Sequence, residues 1–326
     1  MTMRIATRLT DRLDIRHPIV LAPMAFTSGG ALAKAVSDAG GLGLIGGGYG
    51  DETFLNTAFR DAGNTRVGAG FITWSLAQNP ALLDLVLDRN PAAVMLSFGD
   101  PAPFAEAIRA AGSMLICQCQ TLDHVRAALD CGAQVIVAQG GEAGGHGAIR
   151  GTLNFVPEVA DHLAAHASDT LLLAAGGIAD GRGLAASLML GADGVLVGTR
   201  FWAAAESLAP ARHRQAAVAA GGDDTVKTAT VDIVRQKDWP KDFSIRVKRN
   251  AFTDRWDGNE AGLSAAVELE AARYQAALEA GDADNSAPIC GEAIGLIGSV
   301  DPAAAIVEGM VADASACLGT RFVVQE

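Results

Sequence analysis

Short apolar runs recur along the chain at residues 19–22, 42–45, 67–71, 93–98, 114–117, 134–138, 171–175 and 194–197. Runs this brief, bounded by turn formers, fit strands buried on both faces. Between them lie amphipathic stretches with helical spacing, such as residues 31–39, closed by Gly40, and residues 122–129, capped by Thr121 and closed by Gly132. Strand and helix alternate, which predicts a parallel sheet. Eight such repeats predict an α/β protein built as a (β/α)8 TIM barrel, with its site at the C-terminal ends of the strands. A doubly wound open sheet is the other arrangement that the alternation permits.

The rhythm changes in two places. The sixth and seventh runs are separated by a longer stretch than the others, and that stretch contains His146. After Arg200 the strand pattern stops: residues 203–221 and 260–281 read as Ala-rich helices around a polar middle. Residues 300–318, opening with Asp301-Pro302, read as a final helix returning to close the barrel. The expected organisation is therefore a barrel from residues 1–205 with 295–326, and a second, mainly helical domain from residues 206–294 on the substrate side.

Composition supports the barrel and narrows the partners. Half of the 326 residues are apolar and only 5% are aromatic, as expected where helices pack closely on a parallel sheet. A formal charge of −12 without a basic patch before residue 235 argues against nucleic acid or an anionic membrane as partner. The basic cluster from Arg235 to Arg255 alternates with Asp and aromatic residues and reads as a solvated segment. No run of 18 apolar residues occurs, and the start of the chain carries Arg and Asp, so neither membrane insertion nor secretion is supported. Five cysteines, two of them in Cys117-Gln118-Cys119, lack metal-chelating spacing and suit a reduced, cytoplasmic protein.

The run Gln139-Gly140-Gly141-Glu142-Ala143-Gly144-Gly145-His146 follows the sixth predicted strand. Its glycines let backbone N–H groups approach a ligand and leave the imidazole uncovered. That imidazole titrates near neutrality and can serve as general base toward a carbon acid, or it can simply hydrogen-bond and shape the loop. The other histidines, His17, His124, His162, His166 and His213, sit before a strand or on helices and read as structural. Glu142 has two candidate roles, orienting His146 or binding backbone amides. Gln118 and Gln139 end the fifth and sixth strands, where amides can bond a ring edge or sugar hydroxyls.

Two glycine motifs end the last two strands: Gly176-Gly177 and Gly198-Thr199. In barrels these loops commonly grip a phosphate with backbone N–H groups. The literal G-x-G-x-x-G at residues 41–46 follows a helix and runs through a strand, the reverse of the dinucleotide-binding context. With no lysine-bearing phosphate loop, HExxH or GxSxG, a mononucleotide is the better ligand. No lysine lies between Lys34 and Lys227, which removes a Schiff-base aldolase, and Cys117, Cys119 and Cys131 lie away from the His146 loop, which removes a thiolate nucleophile there.

Leu21-Ala22-Pro23-Met24, the Gly-Gly-Glu-Ala-Gly-Gly-His loop, Ala-Gly-Gly-Ile-Ala-Asp-Gly and Gly-Thr-Arg-Phe together resemble the nitronate monooxygenase family, formerly called 2-nitropropane dioxygenases. The stretch from Trp239-Pro240 to Trp256, with Arg246, Arg249 and Asn250, is similar to that family's second domain. The resemblance implies non-covalent FMN, with Ala22, Pro23 and Met24 near the flavin ring and its phosphate on Gly176, Gly177, Gly198 and Thr199. It places Gln118, Gln139, Gly144 and Gly145 at flavin-contacting positions and His146 at the position of the base that takes the α-proton of a neutral nitroalkane. O2 is the expected co-substrate, with a carbonyl compound and nitrite as products; homo-oligomerisation is compatible with it. Two departures stand out. Gly68-Ala69-Gly70-Phe71 replaces a Gly-Val-Asn motif, removing a polar contact, and Cys290-Gly291-Glu292-Ala293 brings a carboxylate toward the site. Leu55, Phe71, Ile72 and Trp74 are candidates for an apolar wall, or for core packing. Two other functions share the scaffold: an NAD(P)H-dependent flavin reductase acting on quinones or an enoyl thioester, and a flavin- or nucleotide-binding barrel without turnover.

Overall fold

The structure, a computed structural model, describes residues 4–320, so the expected barrel limits at residues 1 and 326 lie outside the described residues. Eleven strands are present among them: β1 (Ile19–Leu21), β2 (Leu44–Gly48), β3 (Gly68–Ile72), β4 (Ala93–Ser97), β5 (Met114–Cys119), β6 (Val135–Gln139), β7 (Gly145–Gly147), β8 (Leu171–Ala175), β9 (Gly194–Val197), β10 (Thr225–Thr228) and β11 (Ser244–Lys248). Eight of them pair in parallel in the order β1-β9-β8-β6-β5-β4-β3-β2. A parallel bridge between Val20 and Leu42 closes the ring, with Leu21 N donating to Leu42 O at 2.9 Å. Closure selects the barrel over the open sheet, and each of the eight apolar runs contributes one strand.

The strands are apolar without alternation because both faces are covered. Inside the barrel, Val20, Leu44, Met95, Ile116, Val137, Leu173 and Leu196 form one cluster, and the side chains facing the helices form a second, larger one. The short helix Arg8–Leu13 plugs the N-terminal end with Leu9 and Leu13, both fully buried. Burial of each contributes about 2 kcal/mol. The helix Ala303–Thr320 packs on helices Gly181–Met189 and Gly30–Asp38, which completes the outer ring as expected. All of this leaves the C-terminal mouth open.

Register sets what lies at that mouth. Ser97 pairs level with Gln118 on β4 and β5, and Gln139 pairs level with Ala175 on β6 and β8. Polar strand ends therefore share one rim. The segment after β9 departs in part from expectation. Between residues 203 and 221 only Ala211–Val218 is helical, since Pro210 precedes it, and the second helix is broken at Ala266 into Glu260–Ala265 and Val267–Ala280. The polar middle holds β10 and β11, which pair antiparallel with β7 from the long barrel loop to give the sheet β10-β11-β7. That sheet joins the late segment to the loop carrying His146.

Candidate active site

A cavity of about 1230 Å³, counting the part open to solvent, occupies the C-terminal mouth. All twelve singled-out residues line it: Ala22, Pro23 and Met24 after β1, Gln118 and Gln139 at the ends of β5 and β6, Gly144, Gly145 and His146 in the long loop, Gly176 and Gly177 after β8, and Gly198 and Thr199 after β9. Of the candidate apolar wall, Phe71 and Ile72 line the cavity. Leu55 is core, and Trp74 packs against Trp239 and Tyr49.

The glycines serve two purposes. A Cβ on Gly144 would fall 2.5 Å from the Cys290 and Gly291 backbone, and one on Gly176 would fall 2.8 Å from Thr152 Oγ1, so those two allow close packing. On Gly177, Gly145 and Gly198 a Cβ would meet nothing closer than 3.7 Å. There the glycine preserves space that the protein does not fill. A backbone cradle with room for a bound group is thus built from the last two strand–helix loops and the His146 loop.

The glutamines are held in line. Ser97 Oγ donates to Gln118 Oε1 at 3.1 Å, Gln118 Nε2 donates to Gln139 Oε1, and Gln139 Nε2 donates to the His146 carbonyl at 2.7 Å. His146 lies on β7 opposite Ile245 of β11. Its ring stacks on Trp239, with centroids 3.3 Å apart and planes 7° from parallel, while Phe98 approaches at 6.2 Å. Trp239 Nε1 in turn donates to Tyr49 Oη at 3.0 Å. Burial lowers the His146 pKa below its ordinary value, an effect that hydrogen bonding and charge from Asp232 oppose. A buried imidazole of lowered pKa is neutral at neutral pH, as a base must be.

The two glutamates face elsewhere. Glu142 accepts from Thr152 N at 2.9 Å and from Thr152 Oγ1 at 2.8 Å, at the first turn of helix Thr152–His166. It ties the loop to a helix N-terminus, the second of the two roles open to it. Glu292 pairs with Arg246 at 3.0 Å and does not line the cavity. The carboxylate is held instead by Arg246, which also donates to Gly141 O and Thr225 Oγ1. The thiols are equally remote from chemistry, because burial pushes Cys117 and Cys290 up to about 12.

Sequence reasoning missed Asp232, Trp239, Tyr49 and Arg235. Trp239, Tyr49 and Arg235 line the cavity, and Asp232 bonds His146 from behind. The alternation Ser244-Ile245-Arg246-Val247-Lys248, with Ile245 and Val247 buried, was the available sign of a strand there.

A closed (β/α)8 barrel with a glycine-lined pocket and a neutral imidazole at its C-terminal mouth defines an enzyme of the barrel class. The chain belongs to the nitronate monooxygenase family, a flavin-dependent oxidoreductase family whose profile matches residues 6–66 and 68–313. It is similar to a nitronate monooxygenase of Neurospora crassa, 32% identical over 90% of this chain and 88% of that one. Among solved structures it is similar to FabK from Thermotoga maritima, at TM-score 0.84 and 29% identity, covering 96% of this chain and 97% of that one. A nitroalkane oxidase from Streptomyces ansochromogenes superposes at TM-score 0.80 and 28% identity, covering 95% and 98%. Among the described residues no helix is long and apolar enough to cross a membrane.

Proposed function

We propose that the chain is an FMN-dependent nitronate monooxygenase that also accepts neutral nitroalkanes, with His146 as general base. The observation that carries this reading is a buried, neutral imidazole lining the same cavity as the glycine-rich loops after β8 and β9. In this reading Gly176, Gly177, Gly198 and Thr199 hold the phosphate. Ala22, Pro23 and Met24 lie against the flavin ring, and Gln118, Gln139, Gly144 and Gly145 complete its contacts. Bound FMN supplies one-electron chemistry between a nitronate and O2, which ends in a carbonyl compound and nitrite. The protein's own part is to orient the nitro compound, exclude water with Phe71, Phe98 and Trp239, and take a proton when the substrate arrives neutral. An alkyl nitronate arrives already deprotonated and bypasses His146.

The barrel of residues 1–205 with 295–326 would then hold the cofactor, and residues 206–294 would form the substrate side. A cytoplasmic location suits the cysteines, since Cys117, Cys119, Cys131 and Cys290 form no disulfide.

The test is the visible spectrum of the purified protein titrated anaerobically with an alkyl nitronate. Loss of the oxidised flavin absorbance is the expected result. Absorbance that ignores nitronate yet falls rapidly with NAD(P)H would replace this reading with the reductase one, and the absence of any flavin band after adding FMN would remove the cofactor.

A further inference from the structure

Asp232 lies 86 residues beyond His146 in the chain, on the helix Thr230–Val234, and its two carboxylate oxygens sit 2.9 and 3.0 Å from His146 Nε2. Both side chains are only 8% exposed. A carboxylate only accepts, so Nε2 must carry the ring proton and Nδ1 the lone pair. Among the described residues the ring makes hydrogen bonds through Nε2 alone, which leaves Nδ1 to whatever enters the cavity. The ring is also held against turning over, which would put Cε1 where Nε2 now meets Asp232. Trp239 covers one face at 3.3 Å, the backbone is paired to Ile245, and Gln139 holds the carbonyl.

We propose that Asp232 is the positioning residue of this site, fixing His146 in the Nε2–H tautomer so that Nδ1 is the atom that removes the α-proton of a neutral nitroalkane. This rests on His146 being the base. In the step, the substrate Cα–H bond breaks and its proton passes to Nδ1. The electron pair stays on the substrate as the nitronate, and the resulting imidazolium is balanced by the Asp232 carboxylate. The arrangement follows the logic by which a buried aspartate orients a histidine base in hydrolytic triads. The charged groups facing the ring are Asp232, which favours its protonation, and Arg235 and Lys227, which disfavour it. Lys227 is itself held down to about 8 by burial and Arg246, so its titration lies on the alkaline side.

The first test is nitrogen-15 NMR of histidine-labelled holoenzyme at neutral pH, with His146→Asn identifying the signal among six histidines. An Nε2-protonated tautomer is expected, and an Nδ1-protonated one overturns the proposal. The second is Asp232→Asn. Its kcat/KM for a neutral nitroalkane should fall by about 100-fold or more, while alkyl nitronate oxidation stays within about two-fold. Without the carboxylate the imidazole is harder to protonate, so the acid limb of the remaining nitroalkane activity should move to lower pH. Asp232→Glu should restore part of the rate. Equal losses on both substrates, or an unmoved rate and pH profile while His146→Asn is inactive on nitroalkane, would overturn the role of Asp232 and leave His146 as base. Full nitroalkane activity in His146→Asn would remove the base assignment itself, and this proposal with it.

Discussion

Gly198 and Gly176 both line the cavity, yet a side chain has opposite consequences at the two. Gly198 has φ −102°, outside the left-handed region, and an added Cβ meets nothing closer than Ala22 Cβ at 3.7 Å. Gly198→Val should therefore fold with a stability change within about 1 kcal/mol but lose at least about ten-fold in FMN affinity, since the new methyl groups occupy the ligand's space. Gly176 has φ +99°, and its added Cβ would lie 2.8 Å from Thr152 Oγ1. Gly176→Ala should cost about 2 kcal/mol in denaturant unfolding, on backbone strain and crowding together. Flavin content measured beside unfolding free energy separates the two effects; an apo protein of lowered stability from Gly198→Val would show that packing, not ligand space, keeps that glycine. At this scale the sequence was most legible where chemistry needs unusual residues. His146 and the paired glycines stood out, whereas Asp232 is one acid among 37 acidic residues, and nothing local marks it.

At the scale of elements, one loop and one helix are made interdependent by Glu142. Its carboxylate takes the Thr152 N–H and hydroxyl, its carbonyl accepts from Glu292 N at 3.0 Å, and Thr152 Oγ1 also reaches the carbonyls of Ala175 and Gly176. A negative charge at a helix N-terminus adds dipole stabilisation to the capping bonds. Glu142→Ala should cost about 1–2 kcal/mol and speed flavin dissociation, because the His146 loop and the loop after β8 loosen together. Stopped-flow release of flavin, read against thermal stability, checks this; slower or unchanged release at lowered stability would show that the cradle does not depend on the loop anchor. The barrel strands were legible because burial on both faces makes each an uninterrupted apolar run. β7 and β10 were not, because both are partly exposed and β7 is mostly glycine, and β11 showed only the alternation of Ser244–Lys248. The pairing of β7 with β11 depends on residues about 100 positions apart, which no local pattern encodes.

For the whole molecule, buried neutral imidazoles link stability to pH. His17, His146 and His213 are each held below the ordinary value, chiefly by burial. The unfolded chain therefore binds protons below about pH 6.5 that the folded one resists. Stability is full above that pH and falls as pH drops through and below it, so Tm should decline steadily from neutral toward mildly acidic conditions. His213→Gln, which keeps a donor toward Ser286 3.0 Å away, should flatten the slope. A Tm that holds constant over that range would mean the buried rings protonate without cost.

The sheet β10-β11-β7 has a consequence for how such an enzyme can be re-engineered. One strand of it carries the imidazole, and the segment it recruits supplies Asp232, Trp239 and Arg235, while Gly176, Gly177 and Gly198 follow barrel strands. Exchanging residues 225–248, from β10 through β11, between relatives would transplant the surroundings of the proposed base while leaving Gly291, whose N–H donates to Thr199 Oγ1 at 2.9 Å, in place. Under the proposed function, chimeras of this kind would change carbon-acid scope while keeping the glycine loops that would hold the cofactor.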